Sequence, residues 1–147
     1  MPIAERSAQT TWKGSLANGA GTLTSGSGAL GELPVTWASR TERSEGKTSP
    51  EELIAAAHAS CFSMALSNIL AEHGHEPESV RTTVDVTLKI VDGTPTITKA
   101  AISTVGKVPG IDAAHFAEHA EQAKTDCIIS RALAGISEIT LETDFDG

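Results

Sequence analysis

Cys61 and Cys127 are the only thiols in the chain and stand 66 positions apart. A thiol attacks as its thiolate, and an ordinary one with a pKa of about 8.5 is only a few per cent ionised at neutral pH. Two alternatives are therefore open at each position: plain packing, since free cysteine is among the most buried residue types, or nucleophilic chemistry with something nearby that favours the charge. Cys61 lies within Ala-Ala-His-Ala-Ser-Cys-Phe-Ser-Met-Ala-Leu, and at that position alone core packing is the simpler reading. Cys127 differs, because Thr125 or Asp126 can cap a helix that opens there, where the helix dipole favours a thiolate. The charge of Asp126 works against that effect. A disulfide between the two would need Cα atoms within about 7 Å, which their spacing does not establish.

Other chemistries have thinner support. His58 and Cys61 share a helical face, but two ligands without a second pair fall short of a zinc set, so no metal is expected. His73 and His75 flank Gly74 and read as solvated. The chain carries no glycine-rich phosphate loop and no Gly-x-Ser-x-Gly elbow, and its five histidines have no triad-like setting. A formal net charge of −8 argues against nucleic acid or an anionic membrane as partner, since phosphate must be offset by clustered Lys and Arg. The polar first eleven residues lack the apolar segment of a secretion signal, and no membrane span is expected. The cytoplasm is the expected compartment, and a permanent disulfide would be unusual there.

The elements that must position these residues follow from pattern and punctuation. At 147 residues, with 39% hydrophobic and 20% charged, the chain has the composition of a folded protein and the length of one domain, 1–147, or of one half of an intertwined dimer. Residues 1–40 read as a β-meander with strands near 9–13, 21–25 and 35–39. A charged loop follows at 40–48. Ser49-Pro50-Glu51-Glu52 then starts a helix over 49–73: Ser49 can cap, Pro50 is pre-set for the first helical position, and Glu52 can complete a capping box. With hardly a charge between Glu52 and Glu72, this helix is expected to be buried on most sides. Over 80–147 the pattern gives a hairpin turning at Asp92-Gly93, an amphipathic helix from about Asp112, a short helix near 127–133 and a final strand containing Ile139 and Leu141. Pro95 puts the start of the hairpin's return strand at a sheet edge. The class is α+β with antiparallel sheets.

Within this layout, Thr48-Ser49-Pro50-Glu51-Glu52-Leu53-Ile54-Ala55-Ala56-Ala57-His58-Ala59-Ser60-Cys61-Phe62-Ser63-Met64-Ala65-Leu66 closely resembles the signature of the OsmC/Ohr family, the osmotically inducible and organic-hydroperoxide-resistance proteins. The resemblance extends to Trp12, to Val108-Pro109-Gly110-Ile111 and to Cys127. It implies the OsmC-like fold, antiparallel sheets packed on a long buried central helix in an intertwined homodimer. It also implies a thiol peroxidase that needs neither metal nor haem nor another cofactor, for defence against oxidative and osmotic stress. In such an enzyme Cys61 matches the cysteine that attacks organic hydroperoxides, and hydrogen peroxide more weakly. Cys127 matches the resolving cysteine, and Glu51 the carboxylate that orients an essential arginine. Arg40 is the best match for that arginine, with Arg43 as the alternative. An arginine before the charged loop, and Asn18-Gly19-Ala20 at the early position, resemble the osmotically inducible branch. Ile128 stands where relatives often have proline. The implied reductant is a dithiol: a lipoyl protein, a thioredoxin-like protein or a small thiol.

The residue types suit that chemistry. Cys61 is too deep in its helix to draw on the N-terminal dipole, so a cation must favour its thiolate. Arginine stays charged, and its flat fork can bond a carboxylate and a sulfur or peroxide oxygen together. Ten residues of helix put about 15 Å along the axis between Glu51 and Cys61. Glu51 of one subunit is therefore expected to approach Cys61 of the other. A redox sensor or small-molecule binding module on the same fold, without sustained turnover, is the alternative function.

Overall fold

A computed structural model describes residues 2–147. The chain divides into two compact units, one running to Leu53 and the other spanning Ile54–Gly147.

The first unit is built on an antiparallel sheet in the order β1 (Ala8–Lys13), β2 (Ala20–Ser25), β3 (Leu33–Val35). Gly21 pairs with both Trp12 and Val35, and a Cβ on it would stand 2.8 Å from the Trp12 ring and 2.9 Å from the Val35 side chain. Only glycine leaves room there for the indole to lie on the sheet. The third strand stops at Val35 rather than continuing to residue 39. Thr36 and Ser39 cap one another reciprocally: the Ser39 amide donates to Thr36 Oγ1 at 3.0 Å and the Thr36 amide to Ser39 Oγ at 2.9 Å. That capping box opens a short helix, α1 (Trp37–Thr41), so Arg40 rides on a helix and not at the start of a loop. The charged loop after it is tied back at Thr48, whose amide donates to the Pro34 carbonyl and whose own carbonyl accepts from Ser39 Oγ.

The second long element, α2 (Pro50–Glu72), begins as its punctuation dictates. Ser49 Oγ accepts from the Glu52 amide at 3.1 Å. The Glu52 carboxylate does not complete the box but accepts the Thr48 hydroxyl at 2.7 Å.

The second unit holds most of α2 together with β4 (Ser79–Val91), β5 (Thr94–Lys107), α3 (Ala113–Asp126), α4 (Ile128–Ala132) and β6 (Glu138–Phe145). β4 and β5 form a long antiparallel hairpin. Its turn needs two left-handed residues, and Asp92 (φ 50°) and Gly93 (φ 81°) supply them. β6 joins the other side of β5, and it runs parallel, reached through the two helices. Its pairing covers Lys99 to Gly106 only, so Pro95 does lie where β5 has one neighbour. The core is the face of α2 bearing Phe62, Leu66, Ile69 and Leu70, packed with Val84, Ala100 and Ile102 of the sheet and Phe116, Ala120 and Ala123 of α3. Gly106 lets the Phe116 ring press against β5, and Phe145 of β6 meets that ring at a centroid distance of 5.5 Å.

One face of α2 is sealed in this way and the opposite face is not. Ala56, Ala57, Ser60, Met64 and Asn68 are exposed, Met64 at 71%. By length and composition α2 would pass for a membrane span, yet only 28% of its most apolar stretch is buried. The uncovered face carries small residues and Met64, with Ser60 and Asn68 as its polar groups.

Candidate functional site

Arg40 and Glu51 belong to the first unit. α1 presents the arginine, and the first turn of α2 presents the carboxylate. Glu51 is 7% exposed, and it takes three hydrogen bonds from one guanidinium: Nε donates to Oε1 at 3.0 Å and to Oε2 at 3.1 Å, and Nη2 donates to Oε2 at 2.9 Å. This is the planar fork that only arginine can make. Trp37, three residues earlier, lies under the guanidinium, with its ring centroid 5.8 Å from Cζ. The Nη1 group is left to donate elsewhere, and the arginine side chain is 35% exposed. Arg40 also lines a cleft of about 700 Å³ whose other walls include Trp12, Leu16, Leu23, Val35 and Leu53. A fixed cation at the side of an apolar cleft suits a ligand with a polar, electron-rich end and a greasy remainder. Arg43 lies in the exposed charged loop.

Cys61 and Cys127 belong to the second unit, and both are free thiols. Cys61 is half-buried in the middle of α2. Cys127 is fully buried and is the single non-helical residue between α3 and α4, with φ −56° and ψ 123°. The sequence separation is bridged by packing: both residues belong to one core cluster, near enough for the ionisation of each to depend on the other. Their environments act on them unequally. Burial pushes the Cys61 thiol up, the Ile129 amide opposes this, and proton donation to Cys127 adds to the rise. Burial would also push Cys127 up, but the amide and hydroxyl of Ser130, the contact with Cys61 and the Ile129 amide outweigh it and hold this thiol below its ordinary value. Left to their own unit, the pair places its charge on Cys127. Thr125 and Asp126, expected to cap the short helix, instead end α3, and Cys127 itself stands at the N-cap of α4 with no side-chain cap hydrogen bond.

Two residues of this site were not assigned a role from the sequence. His58, considered above only as half of a metal pair, is fully buried, and its Nε2 lies 2.7 Å from Ser130 Oγ. Burial holds its imidazole below the usual range and therefore neutral. Ser130 is three residues after Cys127, one helical turn on, and that spacing was the available signal.

The pattern of the OsmC-like protein family matches residues 43–142. Peroxiredoxin OsmC of Escherichia coli (strain K12) is 46% identical over 134 residues, covering 91% of this chain and 92% of that protein. Among solved structures, an OsmC-like protein of unknown function from Vibrio cholerae superposes with a TM-score of 0.75 at 20% identity, covering 96% of this chain and 99% of that one. The organic hydroperoxide resistance protein OhrB of Bacillus subtilis superposes with a TM-score of 0.71 at 24% identity, covering 95% and 98%. These two likenesses speak for the fold.

Proposed function

The chain belongs to the OsmC-like protein family, and from that premise we propose that it is a cysteine-based peroxidase that reduces organic hydroperoxides. The observation that carries the reading is that Cys61 and Cys127, two free thiols far apart in the sequence, belong to one core cluster inside one unit. The Cys61 thiolate attacks one oxygen of the peroxide, the O–O bond breaks, and the departing alkoxide takes a proton to leave as alcohol. Sulfur is oxidised by two electrons and becomes a sulfenic acid. Cys127 then attacks that sulfur, the S–O bond breaks, and a disulfide and water result. An external dithiol returns the pair to thiols by exchange.

The first step needs charge on Cys61, which its own unit disfavours. Arg40 is the proposed source of the missing cation, held in direction by Glu51 and with Nη1 free for the sulfur or the peroxide. In the proposed dimer these two residues of one copy serve Cys61 of the other, and the open face of α2 is covered by the second chain. The apolar cleft beside Arg40 favours alkyl and aryl hydroperoxides over hydrogen peroxide.

The raised Cys61 thiol is the one observation that favours a sensor without sustained turnover, and stoichiometry separates the two. With a dithiol supplied, the wild-type chain is expected to consume many equivalents of cumene hydroperoxide per subunit. Cys61→Ser should consume none, and Cys127→Ser one before stalling. Normal turnover by Cys61→Ser would end the proposal, and a wild-type chain that stops after one equivalent would favour the sensor.

A further inference from the structure

The two-cysteine chemistry leaves the buried imidazole of His58 unused. It stands one turn before Cys61 on α2 with no exposed surface, its Nε2 lies 2.7 Å from Ser130 Oγ, and its Nδ1 is buried without a partner among the described residues. Ser130, itself 8% exposed, sits on α4 one turn after Cys127, which is also buried. A buried imidazole of α2 thus bonds a buried hydroxyl of α4, one turn from the buried sulfur at the start of that helix. We propose that His58 and Ser130 are positioning residues forming a directed hydrogen-bond relay, Nε2–H to Oγ and then Oγ–H to Cys127 Sγ, which holds the resolving cysteine as a thiolate aimed at Cys61.

The unpartnered Nδ1 sets the direction. A buried N–H without an acceptor is rarer and more costly than a lone pair without a donor, so the ring proton belongs on Nε2 and the bare lone pair on Nδ1. Ser130 Oγ then accepts from the imidazole, and its one hydrogen is free for the sulfur. A sulfur at the end of that chain is an acceptor, and an anion accepts more strongly than a thiol. The opposite orientation would bury an orphan N–H and require Cys127 to donate its proton to Ser130. The titratable groups facing Cys127 are Cys61 and, through Ser130, His58, both from α2; the neighbouring Asp126 and Arg131 are exposed.

The relay deepens the peroxidase reading and rests on it for its purpose. Resolution competes with further oxidation of the sulfenic acid. A resolving thiol already ionised attacks at once: the Cys127–Cys61 S–S bond forms, the Cys61 S–O bond breaks, and the hydroxide takes up from solvent the proton that Cys127 had given to it. Sulfenic acid plus thiol gives disulfide plus water, with no further reductant.

The test is to titrate Cys127 by thiolate ultraviolet absorbance in a Cys61→Ser background, which works whether or not the chain is a peroxidase. Ser130→Ala is expected to raise the midpoint by about one to two pH units, the worth of a hydrogen bond to a charged group. Ser130→Thr, which keeps the hydroxyl, should restore it. His58→Leu should shift the midpoint in the same direction, and His58→Gln, whose amide nitrogen can donate near the position of Nε2, should recover most of the loss. With Cys61 intact, Ser130→Ala should slow disulfide closure after one equivalent of peroxide by about tenfold, in proportion to the lost thiolate. Titration curves that coincide for Ser130→Ala and its parent, or that shift equally for the Ala and Thr variants, overturn the relay. Should Ser130→Ala not fold, the His58→Leu and His58→Gln pair decides by the same criterion. Failure of the peroxidase reading would appear separately, as a wild-type chain that consumes no peroxide.

Discussion

Glu51 spends both carboxylate oxygens on one guanidinium, and the arginine still has Nη1 in hand. A lysine at that position would keep the charge but lose the flat fork, so its pairing with Glu51 would no longer fix the direction of the remaining donors. Arg40→Lys is therefore expected to lower kcat/KM for cumene hydroperoxide roughly a hundredfold, the size of losing one aimed donor at a developing charge. It should also move the Cys61 alkylation profile to higher pH. Unchanged stopped-flow rates and an unchanged profile would remove Arg40 from the chemistry. Glu51 and Cys61 stand out in the sequence as parts of one continuous motif, whereas Arg40 and Cys127 are candidates through the resemblance, with Arg43 as the alternative and Ile128 where relatives often have proline. His58 and Ser130 could not be paired in this way, since 72 positions separate them and no periodicity reports which turns of two different helices will touch.

Among the elements, those with strong local signals were legible. Ser49-Pro50 begins α2 where the capping rules put it, and Asp92-Gly93 turns the hairpin with the backbone signs that turn requires. α1 was missed because five residues carry no period, although the Thr36 and Ser39 pair that opens it was in plain view. The direction of β6 was also hidden: a single strand has the same alternation whichever way it runs, and only its neighbour decides. The contact of β5 with α3 offers a test at this scale. A Cβ at Gly106 would enter the Phe116 ring, which is fully buried and packs against Phe145. Gly106→Ala should cost about 1–3 kcal/mol of stability, the range for an overfilled core, read from the denaturant midpoint. A variant as stable as the parent would show that the ring has room to move.

For the whole molecule, the two faces of α2 pose the main question. One face is core and the other shows Met64 at 71% exposure amid small residues, so within one chain the helix is not buried on most sides as its composition suggested; in the proposed dimer a second chain covers the open face. Met64→Glu is expected to convert a dimer to a monomer in sedimentation measurements, with peroxidase activity falling as the dimer is lost. A dimer of undiminished stability would move the interface elsewhere. The parallel pairing of β6 has its own consequence during synthesis. Phe145 closes over Phe116, and Phe116 seats the helix that leads directly into Cys127. While the chain is still emerging from the ribosome, the hairpin can form but α3 lacks its last support until residue 145 is clear of the exit tunnel. At translation speeds of about 5–20 residues per second, Cys61 waits for several seconds with no properly seated partner, and an oxidant arriving in that interval meets a lone thiol.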